Sequence, residues 1–276
     1  MINLKHNFIS PRLQGRTGNM MFQIANALAK SIEYNRELII PSKESSSDIY
    51  EKNLFRDLKF VDIDYSKIDN YKTINSPFHY TELDLPSDDY PTRYCGWYQS
   101  EKFFKKYSDI VIDAFSPTDE FIREAYNDFE FLKNKNACAI NVRRGDYLTQ
   151  PTRHPVITKE YINESIKHLP KCEKYIVLSD DMDWCKNNIK INDVIFVENY
   201  WDWCGLWLMS LCNNFILSNS SFSWWGAYLS RDKNKKVISP STWVGPDIVD
   251  IMDDIWCEDW IKIPTKYNEG KIILDI

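Results

Sequence analysis

The sequence lacks any long apolar run of the kind that crosses a membrane. No stretch reaches the about 18 consecutive apolar residues that a transmembrane helix needs, and the longest apolar region, 201–217, is interrupted by Asp202 and Gly205. The first eight residues lack the hydrophobic core of a secretory signal peptide. These absences predict a cytoplasmic protein with no transmembrane segment, and they leave peripheral attachment to a membrane open.

Cysteine and histidine occur without the spacings of metal sites or disulfide frameworks. The seven cysteines are scattered with no Cys-x-x-Cys pair, which is typical of reduced, buried thiols in a cytosolic protein. The four histidines show no zinc spacing. Asp62-Ile63-Asp64 resembles an Asp-x-Asp metal motif only superficially, because no strong strand precedes it. We therefore expect no metal cofactor.

Other absences exclude whole function classes. The formal net charge of −6 disfavours broad nucleic-acid binding, which needs a basic surface. The chain has no Gly-x-x-x-x-Gly-Lys-Ser/Thr loop, no Gly-x-Ser-x-Gly elbow and no Gly-x-Gly-x-x-Gly turn. Kinases, α/β-hydrolases and dehydrogenases therefore lack support. A small basic site for one nucleotide is compatible with all of these absences.

Apolar strands alternate with amphipathic helices and predict an α/β protein. In the first half, a polar turn at 15–19 leads into a helix-spaced apolar pattern and then into a strand at 38–40. The second half repeats this alternation more regularly, which is typical of a parallel sheet. Its predicted strands cover residues 137–142, 175–178, 194–197, 215–217 and 236–240.

The polar residues 134–136 separate two sheet-forming halves. We therefore predict an N-terminal α/β domain over residues 1–135 and a C-terminal α/β domain over residues 136–276. The segment near 42–93 is polar and only weakly periodic, and it predicts an irregular insertion in the first domain.

Two neighbouring arginines form the most informative motif. Arg143 and Arg144 directly follow the apolar strand 137–142, so they lie at the carboxyl end of a strand, where open α/β sheets bind ligands. A guanidinium presents a rigid fork of donors that suits phosphate oxygens. In an acidic chain, this local concentration of positive charge predicts an anion-binding site.

Two further polar turns fall at the same edge of the predicted sheet. Asp180 and Asp181 follow the strand 175–178, and Ser218-Asn219-Ser220-Ser221 follows the strand 215–217 and opens a helix. A helix N-terminus presents backbone N–H groups and a positive dipole end to anions. Alone, the serine run is better explained as a helix cap. Together with the arginines, it predicts a clamp for a nucleotide diphosphate.

Four blocks of sequence resemble one known family across most of the chain. Residues 15–23 look like Gly-x-x-Gly-Asn-x-Met-Phe-Gln, residues 96–104 like Gly-Tyr/Trp-x-Gln-Ser-Glu-Lys-Tyr-Phe, and residues 141–147 like His-x-Arg-Arg-Gly-Asp-Tyr. Residues 218–229 match the C-terminal motif almost throughout. In this order the blocks are highly specific, and the chain resembles the α-1,2-fucosyltransferases of glycosyltransferase family 11.

The resemblance implies a fold and a reaction. The implied fold is GT-B-like, with two Rossmann-like α/β halves facing a cleft: an acceptor-side N-terminal domain and a nucleotide-sugar-binding C-terminal domain. The implied reaction is a metal-independent, inverting transfer of L-fucose from GDP-β-L-fucose to the 2-hydroxyl of a galactoside. The expected partners are a nucleotide sugar and a glycan acceptor, and the oligomeric state is left open.

Motif positions in the resemblance also imply residue roles. Arg143 would hold the β-phosphate and Arg144 would support the strand end, and charge on the departing GDP would be the main feature stabilised in the transition state. The expected donor-nucleotide residues are Asn141, Arg143, Arg144, Asp180, Asp181, Asp202, Ser220, Ser221 and Phe222. The expected sugar- or acceptor-side residues are Gly18, Asn19 and Gln23.

Two positions depart from the family pattern and bear on the donor. Asn141 replaces a histidine, and Gly205 stands where the family usually has an aspartate that reads guanine N–H groups. An amide can still bond a base edge, whereas glycine cannot replace a carboxylate. One lost charge-assisted hydrogen bond weakens binding by roughly 1.5–3 kcal/mol, or about 10- to 150-fold. Asp202, one helical turn earlier, is a candidate substitute if the helix starts differently.

The expected catalytic residues are Arg143 and His154. His154 follows the arginine block closely, and the pKa of an imidazole suits it to take the acceptor proton. A structural or acceptor-binding role explains His154 equally well. Glu101 is either a base or a helix-start residue, Asp146 is expected to pair with the arginines, and a mechanism without a protein base stays open.

The leading hypothesis is a GDP-fucose-dependent α-1,2-fucosyltransferase. One alternative is an enzyme of the same fold that uses another nucleotide sugar, which Asn141 and Gly205 favour. The other is a carbohydrate- or nucleotide-binding module without activity. The retained Arg143, Arg144 and serine-rich turn argue against the module, because a degenerate site should have lost its phosphate clamp.

Overall fold

The structure is a computed structural model, and it describes residues 7–68, 70–84, 90–200 and 202–275. The chain forms two compact units, one from Met1–Ser116 with Asp250–Cys257 and the other from Pro117–Val249 with Glu258–Ile276. Some predictions concern residues outside this range. They are the absence of a signal peptide at residues 1–6, parts of the predicted insertion (69 and 85–89) and residue 201 of the longest apolar region.

The first unit is a parallel sheet that carries one long helix. Its elements are β1 (Phe8–Pro11), α1 (Thr17–Glu33), β2 (Glu37–Leu38), β3 (Ile40–Pro41), β4 (Phe60–Val61), β5 (Lys72–Asn75), β6 (Thr92–Cys95) and α2 (Ser108–Phe115). The main sheet has the order β2-β1-β6-β5, and β3 pairs with β4. Apolar residues at helical spacing explain α1, in which Met21, Ile24 and Ala25 are fully buried.

Three predictions in the first unit need correction. Helix α1 begins at Thr17, so Gly18 and Asn19 lie in its first turn rather than in a turn before it. Glu101, a predicted helix-start residue, begins the first of two short 3-10 segments that precede α2 and not a continuous helix; Ser100 before it accepts the N–H of Lys102 at 3.3 Å. The segment predicted as an insertion supplies the edge strand β5 of the main sheet.

The second unit is a larger parallel sheet with helices between its strands. Its elements are α3 (Asp119–Asp128), β7 (Ala137–Val142), β8 (Val156–Ile157), α4 (Lys159–Lys167), β9 (Lys174–Ser179), α5 (Met182–Asn188), β10 (Val194–Phe196), α6 (Trp203–Ser210), β11 (Asn214–Ile216), α7 (Ser221–Tyr228), β12 (Lys236–Pro240), β13 (Ile261–Ile263), β14 (Thr265–Asn268) and β15 (Lys271–Leu274). The strands and helices predicted for residues 137–240 are confirmed, with small shifts at their ends. In the described part of the chain, no helix combines the length and apolar character that a membrane crossing requires.

The strand order of the second unit determines where a ligand site can form. The sheet runs β10-β9-β7-β11-β12-β13, and every neighbouring pair is parallel. The chain winds from β7 through β9 to β10 in one direction and then returns to continue from β11 in the other. The carboxyl ends of β7 and β11 therefore flank the reversal, which is the switch point where doubly wound sheets bind ligands.

The division between the units falls earlier than the predicted boundary after residue 135. Helix α3 belongs to the second unit because Phe121 packs against Tyr200 and Trp207, with ring centres 5.9 and 5.2 Å apart. The Tyr200 hydroxyl also donates to Asp128 at 2.6 Å. These aromatic contacts are long-range in sequence, so the polar run at 134–136 proves to be a turn before β7 rather than a domain break.

A second departure is the return of Asp250–Cys257 to the first unit. Asp254 accepts the backbone N–H of Tyr80 at 2.9 Å and pairs with Lys102. The predicted C-terminal domain is therefore interrupted by a short segment that completes the first unit.

The C-terminal residues form strands that the sequence analysis missed. β14 and β15 form an antiparallel hairpin, and β15 pairs in parallel with β8. The N–H of Val156 donates to the carbonyl of Gly270 at 2.9 Å. This three-stranded sheet fixes the chain immediately after His154, a predicted site residue.

Candidate functional site

Arg143 lies directly beyond β7 and is held by two carboxylates. Its Nη2 lies 2.5 Å from Asp146 Oδ1, and its Nη1 lies 2.8 Å from Asp180 Oδ2 beyond the end of β9. Only 18% of the side chain is exposed, so the guanidinium is fixed in direction. These ion pairs occupy two of its five N–H donors. The expected pairing of Asp146 with an arginine is present.

Arg144 ties the end of β7 to the start of α5. Its backbone N–H donates to Asp180 Oδ1 at 2.8 Å, and its Nε donates to Asp181 Oδ2 at 3.0 Å. The guanidinium carbon lies 4.2 Å from the ring centre of Trp184. Asp181 in turn caps α5 by accepting the N–H of Trp184 at 3.2 Å. This geometry suits the supporting role that the motif implies.

The two arginines do not create a patch of net positive charge. The carboxylates of Asp146, Asp180 and Asp181 all lie within 3.0 Å of them. The predicted concentration of positive charge is therefore neutralised locally. An anion at this edge would be held by oriented N–H donors and a helix N-terminus rather than by net charge. Direct contact of Asp180 and Asp181 with a nucleotide stays a prediction.

Tyr147 connects Arg143 to the other side of the switch point. Its ring centre lies 5.3 Å from the Arg143 guanidinium carbon, and its hydroxyl donates to the carbonyl of Asn219 at 3.2 Å. Burial raises the pKa of Tyr147 to about 12, so its phenol stays a neutral donor near pH 7. Tyr147 is not among the residues predicted for the site, although it closes the arginine motif, and this position was the available signal.

His154 stacks on Tyr147, with ring centres 4.7 Å apart and ring planes inclined by 20°. Partial burial and then the nearby charge of Arg153 lower the pKa of His154, so the imidazole is mainly neutral at pH 7. The structure thus brings the predicted catalytic residues, Arg143 and His154, together through Tyr147. The step that His154 performs stays a prediction.

The serine-rich turn after β11 forms the N-terminus of α7. Ser220 is the N-cap residue, and its Oγ accepts the N–H of Phe222 at 3.3 Å. Ser223 is buried, and its hydroxyl lies 2.9 Å from the carbonyl of Ser218 and 2.8 Å from that of Ser220. Ser221 and Phe222 are partly exposed. The turn is a helix cap, as the simpler interpretation holds, and it also presents a helix N-terminus at the switch point.

Asn141 is engaged inside the protein. Its side chain is 6% exposed, its Nδ2 donates to the Leu178 carbonyl at 3.3 Å, and its Oδ1 accepts the Ser218 hydroxyl at 3.1 Å. The amide therefore joins the end of β7 to the end of β9 and to the turn after β11. Its contact with a nucleotide base stays a prediction, because these bonds point to a structural role.

Gly205 is required by packing in α6. A Cβ at this position would lie 2.8 Å from the carbonyl oxygen of Tyr200 and 3.0 Å from Leu178 Cδ2, which leaves no room for a side chain. Asp202 is the N-cap residue of α6, with a φ of 56°, and its side chain is partly exposed. Helix α6 thus starts directly after Asp202. That Asp202 takes the place of the aspartate missing at position 205 stays a prediction.

The predicted acceptor-side residues belong to the first unit. Gln23 is fully buried, and its amide pairs with the backbone of Gln14, whose N–H and carbonyl lie 3.0 and 3.3 Å away. Gly18 is buried in α1. Asn19 is partly exposed, and its Oδ1 accepts the Gln99 amide at 2.7 Å. Gln23 therefore fixes the chain before α1, and contact of these residues with a sugar stays a prediction.

Carboxylates singled out elsewhere in the sequence are ion-paired or act as caps. Glu101 lies 3.1 Å from Lys105, and Asp62 pairs with Lys43. Asp64 accepts the N–H of Ser66 at the start of a 3-10 turn. Among the described residues, no three His, Cys, Asp or Glu side chains form a group that could hold a metal ion.

The sequence matches one family over nearly its whole length. The family described as Glycosyl transferase family 11 aligns with residues 4–264. The chain belongs to glycosyl transferase family 11. The arginine motif, the neighbouring Tyr147 and the start of α7 are therefore features of a family 11 glycosyltransferase.

Individual relatives of this family 11 protein are distant. It is 27% identical to "Alpha-1,2-colitosyltransferase" from Escherichia coli, over 93% of this chain and 99% of that protein. It is 25% identical to "Galactoside alpha-(1,2)-fucosyltransferase 1" from Aotus azarae, over 78% of this chain but only 63% of that protein. The solved fucosyltransferase NodZ from Bradyrhizobium is 12% identical over 81% of this chain and 92% of its own, with a TM-score of 0.51. This last likeness concerns the fold alone, and it confirms the GT-B-like α/β class.

Proposed function

We propose that this family 11 protein is an inverting glycosyltransferase that moves L-fucose from GDP-β-L-fucose to the 2-hydroxyl of a galactoside. The observation that carries the proposal is the junction at the switch point of the second unit. There Arg143, fixed by two carboxylates, is joined through Tyr147 to the turn that opens α7. The sugar and the linkage are supported by the α-1,2-fucosyltransferase relative, and the donor by a similar structure soaked with GDP-fucose.

The diphosphate of the donor binds at this junction. Arg143 offers its remaining guanidinium N–H groups to the β-phosphate, since Asp146 and Asp180 orient the fork without using all five donors. The N-terminus of α7 adds a positive dipole end at Ser221. Because the carboxylates neutralise the arginines, binding depends on the direction of these donors. This explains how an acidic protein holds an anionic substrate.

The transfer is a single displacement at C1 of the sugar. The acceptor 2-hydroxyl oxygen forms a bond to C1 on the face opposite GDP, while the bond from C1 to the β-phosphate oxygen breaks and its electron pair leaves with GDP. Arg143 stabilises the charge that develops on the leaving group. The acceptor proton passes to His154, whose lowered pKa keeps it available as a base, or to water. The β-linked donor thereby yields an α-linked product.

The same oriented donors bear on the need for a metal ion. Arg143 and the α7 N-terminus offer N–H groups to the leaving phosphate where metal-dependent transferases use a divalent cation. We therefore propose that transfer needs no metal and that it continues in a chelator such as EDTA.

A second donor is favoured by one specific relative. The match to the α-1,2-colitosyltransferase spans 99% of that protein. Colitose is L-fucose without its 3-hydroxyl, so the leaving group, the linkage and the phosphate contacts are the same for both sugars. The two candidates differ only in whether a protein group bonds the 3-hydroxyl of the donor.

A donor panel tests the proposal. The purified protein is incubated with methyl β-D-galactoside and GDP-fucose, GDP-colitose, GDP-mannose or UDP-galactose, with and without EDTA. We expect transfer from a GDP-linked 6-deoxy sugar both with and without EDTA. The mass of the galactoside should increase by one sugar residue, and NMR should show an α-linkage to its O2. Transfer from the UDP sugar alone would overturn the proposal. Nucleotide binding with no transfer from any donor would favour the non-catalytic module.

A further inference from the structure

The first unit carries a pair of stacked aromatic rings at the carboxyl edge of its sheet. Phe78 follows β5 and Trp97 follows β6, and these two strands are parallel neighbours. The ring centres are 5.7 Å apart, and the ring planes are inclined by 21°. Both side chains are partly exposed. We call Phe78 and Trp97 the aromatic platform.

The local backbone holds Trp97 at the surface. Gly96 lets β6 approach β5 closely, since a Cβ there would lie 2.9 Å from the carbonyl oxygen of Ser76. Tyr98 has a φ of 53°, which is unusual for a bulky residue, and its ring is fully buried. The Tyr98 ring packs edge-to-face against Phe103 at 5.1 Å. Strained backbone of this kind persists where the surrounding structure over-determines it, and it clusters at ligand sites.

Polar groups lie next to this aromatic edge. Tyr80, two residues beyond Phe78, is 37% exposed, and its ring contacts Phe103 at 5.1 Å. The Tyr80 N–H donates to Asp254, and Asp254 also pairs with Lys102. A flat apolar surface with a few fixed polar groups is the composition of a small-molecule site.

We propose that the aromatic platform binds the glycan acceptor, with the apolar face of a galactopyranose packed on an exposed outer face of the stacked Phe78–Trp97 pair. The inference rests on the proposed function, because a glycosyltransferase must hold a hydroxyl-bearing acceptor as well as its donor. In galactose the C–H groups at C3, C4 and C5 share one face, and such a face packs on the electron-rich face of an aromatic ring. The platform lies at the carboxyl edge of a parallel sheet, where α/β units bind ligands.

The charged groups of the two units fit a donor site in the second unit and an acceptor site in the first. Arg143 belongs to the second unit, whereas the aromatic platform offers flat rings, and the Asp254–Lys102 pair lies at the backbone of Tyr80, two residues beyond Phe78. Neutral sugars carry no charge for an arginine to hold, but they do carry hydroxyls for a carboxylate or an ammonium group. The chemistry of the platform therefore suits a neutral sugar better than a nucleotide diphosphate.

Steady-state kinetics of Trp97→Ala and Phe78→Ala test the assignment. We expect each change to raise the acceptor KM about three- to tenfold, the loss expected for one aromatic contact, while the donor KM stays within about twofold of the wild type. Trp97→Phe keeps a flat ring and should restore most of the acceptor affinity. Tyr90→Ala is the matched control, because Tyr90 is a 40% exposed aromatic residue just before β6, at the opposite edge of the same sheet.

A binding measurement that needs no turnover separates this inference from the proposed function. Saturation-transfer NMR with methyl β-D-galactoside should show contact to its H3, H4 and H5 protons in the wild type and in Tyr90→Ala, and a loss of that contact in Trp97→Ala. This result supports the platform even if no GDP sugar is transferred. An unchanged acceptor KM, or unchanged galactoside contact in a folded Trp97→Ala protein, overturns the assignment and leaves the donor site unaffected.

Discussion

At the residue scale, Gly205 shows how packing can replace a recognition group. The resemblance to the α-1,2-fucosyltransferases implies an aspartate at this position, and from the sequence alone its absence predicts a lost contact with the donor base. In the structure a Cβ would meet the Tyr200 carbonyl oxygen at 2.8 Å and Leu178 at 3.0 Å. The glycine therefore belongs to a close approach between α6 and its surroundings, in which a carboxylate has no space.

Restoring the aspartate should therefore harm the protein. We expect Gly205→Asp to lower the free energy of unfolding by about 1–3 kcal/mol, because extra atoms in a packed region force shifts of side chain and backbone. Thermal denaturation checks this, with Cys204→Ser on the same helix as a milder comparison. A Gly205→Asp protein with unchanged melting temperature and tighter GDP binding would show that the space exists and that this explanation is wrong.

His154 gives a prediction about pH at the same scale. Burial and then the charge of Arg153 lower its pKa in the folded protein, whereas the unfolded chain keeps a value near 6.5. As pH falls below that value the unfolded state binds the proton first, so the native state loses stability until the folded-state pKa is passed.

We expect His154→Gln to remove this loss. Urea denaturation between pH 8 and pH 5 should show a smaller acid-side decrease for His154→Gln than for the wild type. His168→Gln, at the exposed end of α4, should keep the decrease that His154 causes. Identical pH profiles for the wild type and His154→Gln would contradict the lowered pKa.

At the element scale, the N-termini of α4 and α7 have the same kind of side-chain cap, but we propose a ligand-binding role only for α7. Thr158 accepts the N–H of Tyr161 at 3.3 Å, and Ser220 accepts the N–H of Phe222 at 3.3 Å. The α7 N-terminus lies beside Tyr147, whose hydroxyl donates to the carbonyl of Asn219 at 3.2 Å. The two caps therefore form a matched pair in which stability and ligand binding can be separated.

Both Ser220→Ala and Thr158→Ala should lower stability by about 0.5–2 kcal/mol, the usual contribution of an N-cap. Only Ser220→Ala should also weaken the binding of GDP, because it disturbs the helix turn that receives the phosphates. Thermal melts with and without GDP measure both effects. Equal GDP-induced stabilisation in the two variants would argue against a phosphate site at α7.

The elements also show what the sequence could predict. The buried strand 137–142 and the capped helices of the second unit were foreseeable, because apolar periodicity and cap residues are local signals. The carboxyl-edge grouping of Arg143, Asp180 and Ser220 followed from parallel pairing alone. Local patterns could not show that Asp146, Asp180 and Asp181 neutralise the arginines, since that depends on side-chain directions across three loops.

Other elements were missed because their partners are distant in sequence. The strands β14 and β15 are short, and β15 pairs with β8 more than one hundred positions earlier. Helix α3 was placed in the first domain because nothing local reveals the contact of Phe121 with Tyr200 and Trp207. The stacked Phe78 and Trp97 likewise required the register of β5 and β6.

At the scale of the whole molecule, we propose that the donor phosphates bind to the second unit. Each unit has its own parallel sheet, and the arginine motif, Tyr147, His154 and α7 all belong to the second. We therefore expect GDP to slow hydrogen exchange in residues 143–147 and 220–224 and to leave β1 and β5 of the first unit unchanged. Hydrogen-exchange mass spectrometry checks this, with UDP as the comparison nucleotide. Protection confined to the first unit would reverse the assignment.

Calorimetric titration of GDP tests the central claim most directly, using the wild type, Arg143→Lys and Arg123→Ala. Lysine keeps the charge beside Asp146 and Asp180 but loses the oriented fork, and Arg123 is an exposed arginine on α3 outside the site. We predict that Arg143→Lys lowers the affinity for GDP about 10- to 150-fold, the effect of losing one charge-assisted hydrogen bond. Arg123→Ala should bind GDP as the wild type does. Wild-type affinity for GDP in a folded Arg143→Lys protein would contradict the account.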